Sequence, residues 1–135
     1  IEEELRAWIE VMDLPIDMIN SYDNYVNHRS RFDTHQGVKG LEFERVMVII
    51  DDSEAKGFLF SYDKLFGIKG LSDTDKKNLS EGKETSIERT QRLFYVTCTR
   101  AKSSLAVVMY ANNPEGVKTE AIKKRWFEED EIIIM

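Results

Sequence analysis

An unbroken apolar run within residues 44–50 constrains the fold of this chain more than any other feature. The run contains five consecutive apolar residues, Val46, Met47, Val48, Ile49 and Ile50. A short run of this kind is typical of a strand covered on both faces, as the strands of parallel sheets are. We therefore predict a buried strand over residues 44–50.

A second buried strand is predicted over residues 105–110, and a helix lies between the two strands. Thr85-Ser86-Ile87-Glu88 fits a capping box, which opens a helix, and the helical pattern continues to about Ala101. Strands that alternate with helices predict an α/β layer with a mainly parallel sheet. Ligands of such folds gather at loops beyond the carboxyl ends of the strands, so we expect functional residues there.

The remaining elements are predicted from periodicity and capping residues. Before the first strand we predict helices over residues 2–12 and 15–26 and a short strand over residues 31–35. Between the two buried strands we predict a helix over residues 72–79, capped by Ser72. Asn113 and Pro114 open a last helix, with Val117, Ala121 and Ile122 facing inward. The apolar segment 58–60 is expected to dock on the body of the domain.

Length and composition exclude several classes of protein. The chain has 135 residues, of which 41% are hydrophobic and 33% charged, as in one globular domain. No apolar run approaches the roughly 18 residues of a membrane helix, so no membrane partner is expected. Cys98 is the single cysteine, which favours a reducing, cytoplasmic location. The chain begins with Ile1 and ends on an apolar run, so we expect a fragment of a longer protein.

Charge is unevenly distributed along the chain. The formal net charge is −6, which by itself argues against a nucleic-acid partner. Residues 1–27 carry one Arg against seven acids, residues 28–45 carry four Lys or Arg against three acids, and residues 83–102 carry five against two. Basic side chains are therefore concentrated in two windows, and both windows contain the sequence motifs.

The glycine-rich segment Gly37-Val38-Lys39-Gly40-Leu41 is not a phosphate-binding P-loop. In a P-loop the lysine follows the last glycine and precedes a Ser or Thr, whereas here it stands before the second glycine. Asp51 and Asp52 follow the first strand as magnesium-binding acids do in nucleotide hydrolases. Without a P-loop, we interpret them as residues that leave the strand for solvent. The two histidines and Cys98 show no metal-ligand spacing, and Cys98 is interpreted as a packing residue.

Arg100 lies at the end of the predicted helix, just before the second strand. Arginine is the side chain suited to bidentate contact with phosphate. A basic residue at the end of a helix also complements the helix dipole. Residue chemistry alone leaves both interpretations open.

Two segments in the basic windows resemble conserved motifs of one protein family. Residues 34–43, THQGVKGLEF, resemble motif V of the UvrD/Rep-type superfamily 1 DNA helicases, and residues 88–102, ERTQRLFYVTCTRAK, resemble their motif VI. The motifs have the family's order, and the resemblance covers residues 31–110. It implies a RecA-like (P-loop NTPase-type) layer. Residues 1–27 would be a helical lead-in from an adjoining or inserted subdomain, and residues 28–135 the C-terminal part of the second RecA-like domain.

The resemblance implies that ATP with Mg²⁺ is one ligand. The first RecA-like domain of the same polypeptide would bind it, because that domain carries the P-loop that this chain lacks. Arg100 matches the catalytic arginine that reaches the γ-phosphate across the cleft. Glu42 matches a glutamate near the ribose and the γ-phosphate, and Gly40 matches a glycine that lets the backbone approach the nucleotide.

Single-stranded DNA is the second implied ligand. Thr34 and His35 match positions that touch the DNA strand, and a hydroxyl and an imidazole suit phosphate contact and base stacking. Lys39 is a further candidate for a contact with the DNA backbone. Arg92 and Tyr95 rank lower as site residues, because an aromatic residue on a helix more often packs in the core.

The implied function is an ATP-dependent DNA helicase that moves 3′ to 5′ on single-stranded DNA. The isolated chain is expected to be inactive, since the P-loop is absent. Two alternatives stay open. The parent is the helicase of a helicase–nuclease or defence system, with a nuclease fused or associated, or the chain is a non-motor remnant that binds nucleic acid.

Overall fold

The computed structural model describes residues 2–27, 29–55 and 59–135. The chain divides into two compact units, Ile1–Gly37 and Val38–Met135, and each is described by itself. Among the described residues no helix is long and apolar enough to cross a membrane.

The first unit contains two helices, and both were expected from the sequence. Helix α1 spans Glu2–Met12 and helix α2 spans Asp17–Val26. The large apolar side chains of both helices are exposed within this unit. Helical periodicity therefore identifies these elements without identifying a buried face.

The predicted strand over residues 31–35 is wrong, because residues 32–34 have no regular secondary structure and a turn begins at His35. The amide of Phe32 donates to Ser30 Oγ at 3.0 Å and the amide of Thr34 donates to Asp33 Oδ1 at 2.7 Å. The amide of Gly37 donates to Thr34 Oγ1 at 2.9 Å. Short polar side chains that bond to nearby backbone amides compete with the pairing a strand requires.

The second unit is built on a parallel strand pair, which confirms the predicted α/β class. Strand β1 spans Phe43–Asp51 and strand β2 spans Ala101–Tyr110. The register pairs Val46 with Leu105 and continues without interruption to the ends of both strands. Nearer the start of the strands the register shifts between Phe43 and Arg45.

The sheet is buried on one face only, so the expectation of two covered faces is wrong. Val48 and Ile50 are 2% and 1% exposed, whereas Met47 and Ile49 are 65% and 51% exposed. Strand β2 is likewise not a buried strand along its length, since Leu105 is exposed. Val48 and Ile50 belong to the core cluster of this unit, whereas Met47 and Ile49 do not.

Helices between the two strands and after the second strand supply the rest of that core. Helix α3 spans Tyr62–Leu65, helix α4 spans Asp73–Ser80 and helix α5 spans Ser86–Cys98. Helix α6 spans Pro114–Lys123, and a short 3-10 helix follows at Glu129–Glu131.

The capping residues act as the sequence predicts. Ser72 caps α4, Thr85 forms the capping box of α5 with Glu88, and the Asn113 side chain accepts from the amide of Gly116. Helix α5 is shorter than predicted, because it ends at Cys98 and Ala101 already belongs to β2.

Aromatic side chains fill the core of the second unit. Phe94 of α5 lies edge-on to Tyr62 and Phe66, with ring centroids 6.0 and 5.9 Å apart. Phe66 also meets Trp126 edge-on at 5.6 Å. Aromatic pairs prefer this geometry, and it joins α3, α5 and the segment after α6. Ala121 is buried beside them, as predicted.

Two carboxylates bond to described residues at the end of β1 and at the start of α3. Asp51 Oδ1 accepts from the amide and the hydroxyl of Ser53 at 3.0 and 2.6 Å. Asp52 Oδ2 accepts from Ser61 Oγ and from the amide of Asp63, both at 2.9 Å. The interpretation that Asp52 leaves the strand for solvent is therefore wrong, since its carboxylate positions the start of α3. In the apolar segment 58–60, Phe58 lies outside the described residues and Leu59 is exposed.

A polar group centred on a buried carboxylate, the Asp75 cluster, joins α3, α4 and α5. It consists of Lys64, Ser72, Asp75 and Ser86. Asp75 Oδ2 lies 2.6 Å from Lys64 Nζ and accepts from Ser72 Oγ and Ser86 Oγ at 2.7 and 3.0 Å. Its other oxygen accepts from the amide of Ser86 at 2.8 Å. Burial raises the pKa of Asp75, but these hydrogen bonds outweigh burial and the net pKa is well below its usual range.

Candidate functional site

The candidate site lies where both strands of the second unit begin. Residues 38–42 lead into β1, and residues 99–100 join α5 to β2. The amide of Phe43 donates to the carbonyl of Arg100 at 2.8 Å. This arrangement brings Gly40, Glu42 and Arg100 to one end of the strand pair. The expectation of a site at the carboxyl ends of the strands is wrong for these residues, because each precedes its strand.

The Arg100 side chain is held by three acceptors of its own unit. Nε donates to the Val96 carbonyl at 2.8 Å, Nη1 to the Leu41 carbonyl at 3.0 Å and Nη2 to Thr99 Oγ1 at 3.1 Å. Val96 belongs to the last turn of α5, whose carbonyls have no partner within the helix. Arg100 therefore complements the end of the helix, as one of the two sequence interpretations stated.

The same geometry leaves part of Arg100 available to a ligand. A guanidinium has five N–H groups, and three of them make the bonds to protein acceptors that the described residues provide. The side chain is half-buried. Its position is thus fixed while two N–H groups stay open to an anion such as phosphate.

Glu42 follows Leu41 in the chain and forms an ion pair with Lys102, a residue that the sequence motifs did not indicate as a site residue. Lys102 Nζ lies 3.1 Å from Glu42 Oε2, and both side chains are more than half exposed. Ser103 Oγ donates to Glu44 Oε2 at 2.6 Å just beside this pair. Lys102 lies inside the basic window, but its contact with Glu42 depends on strand register, which the sequence does not display.

The backbone conformation at position 40 explains why a glycine stands there. Its φ is 85°, which L side chains rarely adopt, and a Cβ added there would meet no heavy atom within 4 Å. The glycine is therefore required by backbone conformation and not by crowding from the protein. Lys39 beside it is exposed and makes no ion pair with any described residue.

Thr34 and His35 belong to the first unit, Ile1–Gly37, whereas the residues above belong to the second. Thr34 is exposed and its hydroxyl accepts from the amide of Gly37 at 2.9 Å. His35 is half-buried. A Cβ at Gly37 would collide with the Asp33 side chain, so this turn is closely packed around its glycine. The proposed contacts of Thr34, His35 and Lys39 with DNA stay predictions.

Arg92 and Tyr95 both lie on the exposed side of α5. Arg92 forms an ion pair with Glu84, and Tyr95 is 68% exposed. The core interpretation of Tyr95 is therefore wrong. Cys98 is half-buried and packs against the core, where burial raises the pKa of its thiol to about 11. This agrees with its interpretation as a packing residue.

The described parts of the two units contain no candidate metal site. Residues 2–27, 29–55 and 59–135 contain no group of three or more His, Cys, Asp and Glu placed to hold a metal ion.

Fold and site together define a class of protein. Parallel strands flanked by helices, with a glycine–glutamate loop before one strand and an arginine before the next, form a partial α/β domain of the RecA-like kind. The family model described as the UvrD-like helicase C-terminal domain matches residues 32–112, and the chain belongs to this family. No curated protein and no solved structure matches the chain. The predicted boundary between residues 27 and 28 stays a prediction.

Proposed function

We propose that this chain is the part of an ATP-dependent DNA helicase that supplies motif V and the motif VI arginine. The observation that carries the proposal is the bond from Arg100 Nη1 to the Leu41 carbonyl, which joins residues 59 positions apart. It connects the segment that resembles motif VI directly to the segment that resembles motif V.

The proposed nucleotide contacts follow from the open groups at this end of the strands. Arg100 offers two N–H groups and a full positive charge to a phosphate that approaches from another domain. Glu42 offers an exposed carboxylate, which accepts hydrogen bonds from ribose hydroxyls. ATP, bound with Mg²⁺ mainly by a first RecA-like domain, supplies the phosphoryl group. Arg100 stabilises the negative charge that develops as this group leaves.

The proposed DNA contacts use different residues. Lys39 places an ammonium two residues before Leu41, and its exposure suits contact with the phosphates of single-stranded DNA. Thr34 and His35 supply a hydroxyl and an imidazole in the preceding turn, and Arg92 and Tyr95 are secondary candidates. Movement 3′ to 5′ along the strand and a role in DNA repair in the cytoplasm belong to the same proposal. No described residue favours a nuclease partner over a helicase that works alone.

Arg100→Ala in the complete helicase polypeptide that contains this chain tests the proposal. We expect ATP hydrolysis stimulated by single-stranded DNA to fall by roughly 10³-fold, as when an arginine finger is removed, while DNA binding is retained. Arg100→Lys restores charge without the guanidinium geometry and should recover only part of the rate.

Arg125→Ala is a matched control, because Arg125 is an exposed arginine of the same unit. ATP hydrolysis should be unchanged in this variant. Unaltered hydrolysis in Arg100→Ala would overturn the proposal. Hydrolysis by the isolated 135-residue chain at the rate of a complete helicase would overturn it as well.

A further inference from the structure

The strand pair contains an irregularity next to the candidate site. Phe43 pairs with Ala101, whereas Arg45 pairs with Ser104. Lys102 and Ser103 therefore both lie opposite Glu44, so β2 carries one extra residue here. Such a bulge is rare between parallel strands, and bulges commonly redirect side chains beside functional sites.

The bulge explains how two neighbouring residues of β2 both reach acids of the other segment. In a regular strand successive side chains point to opposite faces of the sheet. Here Lys102 Nζ lies 3.1 Å from Glu42 Oε2, while Ser103 Oγ donates to Glu44 Oε2 at 2.6 Å. The extra residue thus turns Lys102 toward Glu42, at the end of the sheet where Arg100 also lies.

We propose that Lys102 is a positioning residue that holds the Glu42 carboxylate for the ribose of a nucleoside triphosphate. This inference rests on the proposed function, since it assumes that Glu42 faces nucleotide. Glu42 precedes β1 and its side chain is 62% exposed. Without Lys102, an exposed carboxylate of this kind samples several rotamers. One oxygen of Glu42 contacts Lys102, and the other stays open to a ribose hydroxyl.

Lys102→Gln in the complete helicase tests the inference through the Michaelis constants for two nucleotides. For ATP we expect KM to rise about two- to five-fold, the range expected for an exposed ion pair. The kcat should change by less than about two-fold, because positioning of the ribose acts on binding. For 2′,3′-dideoxy-ATP, which lacks the ribose hydroxyls, Lys102→Gln should leave KM unchanged. Lys102→Arg keeps the charge and should restore KM for ATP.

Two further variants separate positioning from a general effect of charge. Lys76 also forms an exposed ion pair at 3.1 Å, with Asp73, so Lys76→Gln should leave both KM values unchanged. The double variant Glu42→Gln/Lys102→Gln should bind ATP no more weakly than Glu42→Gln alone.

An unchanged KM for ATP in Lys102→Gln, or an equal rise for both nucleotides, would overturn the inference. The test of Lys102 can be distinguished from the test of the proposed function. Loss of hydrolysis in Arg100→Ala with no effect of Lys102→Gln rejects only the role of Lys102. Full hydrolysis in Arg100→Ala rejects the proposed function itself.

Discussion

Two lysine–carboxylate pairs in the second unit have the same chemistry and opposite surroundings. Lys64 and Asp75 lie 2.6 Å apart, with side chains 17% and 3% exposed. Lys102 and Glu42 lie 3.1 Å apart, with side chains 52% and 62% exposed. The first pair is enclosed by Ser72 and Ser86 within the Asp75 cluster, whereas the second stands at the open end of the strands.

The two pairs differ in how much of the carboxylate is left for a ligand. Both oxygens of Asp75 already accept hydrogen bonds from the protein, so none is available to a ligand. In the described parts of the chain, no buried polar side-chain atom lacks a partner. The pair at Glu42 is weaker, but its exposure leaves a carboxylate oxygen accessible. We therefore expect stability to depend on the first pair and ligand binding on the second.

Asp75→Ala should give the largest effect on stability. The substitution leaves the Lys64 ammonium and the Ser86 amide without their acceptor, and breaking a buried pair in this way costs about 3–5 kcal/mol. Glu42→Ala removes an exposed partner and should cost less than about 1 kcal/mol. Urea denaturation of the chain measures both values, and Asp75→Asn serves if Asp75→Ala does not fold. Equal losses in the two variants would show that the contrast between the pairs is false.

Acid should weaken the buried Lys64–Asp75 pair. The folded-state pKa of Asp75 is depressed, so its stabilising contribution is complete above the unfolded-state pKa of about 3.9. The contribution is lost progressively as the pH falls below that value toward the folded-state pKa. The free energy of unfolding, measured from pH 7 downward, should therefore fall more steeply in the parent chain than in Asp75→Asn. Identical slopes for the parent and Asp75→Asn would contradict the prediction.

The smallest expected differences in stability come from two hydrogen bonds between a serine hydroxyl and a carboxylate. Ser86 Oγ donates to Asp75 at 3.0 Å in a buried position, and Ser103 Oγ donates to Glu44 at 2.6 Å in an exposed one. Ser86→Ala should destabilise the chain by about 1–3 kcal/mol, because a buried hydrogen bond to a charged acceptor is lost. Ser103→Ala should change stability by less than about 0.5 kcal/mol, although its bond is shorter. Thermal unfolding of both variants decides this, and a larger loss in Ser103→Ala would reverse the argument.

Local sequence signals predicted the elements well. Ser72, Thr85 and Asn113 act as caps because a capping residue bonds to amides two or three positions ahead. The parallel pairing also followed from strands that alternate with a helix. The predicted strand over residues 31–35 is wrong because Ser30 and Asp33 accept hydrogen bonds from nearby amides in place of strand pairing.

Contacts between distant residues could not be predicted. The bond from Arg100 to Leu41 spans 59 positions, and the contact between Lys102 and Glu42 depends on the bulge. Neither contact joins residues that are close in sequence. The motifs indicated Arg100 and Glu42 as site residues, but only the register of the strands shows which side chains surround them. The open face at Met47 likewise depends on which described elements pack on the sheet.

The separation between Leu41 and Arg100 has a consequence for how the chain is made. A ribosome adds about 5–20 residues per second, so the 59 positions between the two residues take roughly 3–12 seconds to synthesise. During that time β2, which pairs with β1 in the described residues, is not yet complete. The pairing of these two strands also brings Arg100 to Leu41. Formation of the strand pair and assembly of this contact are therefore one event.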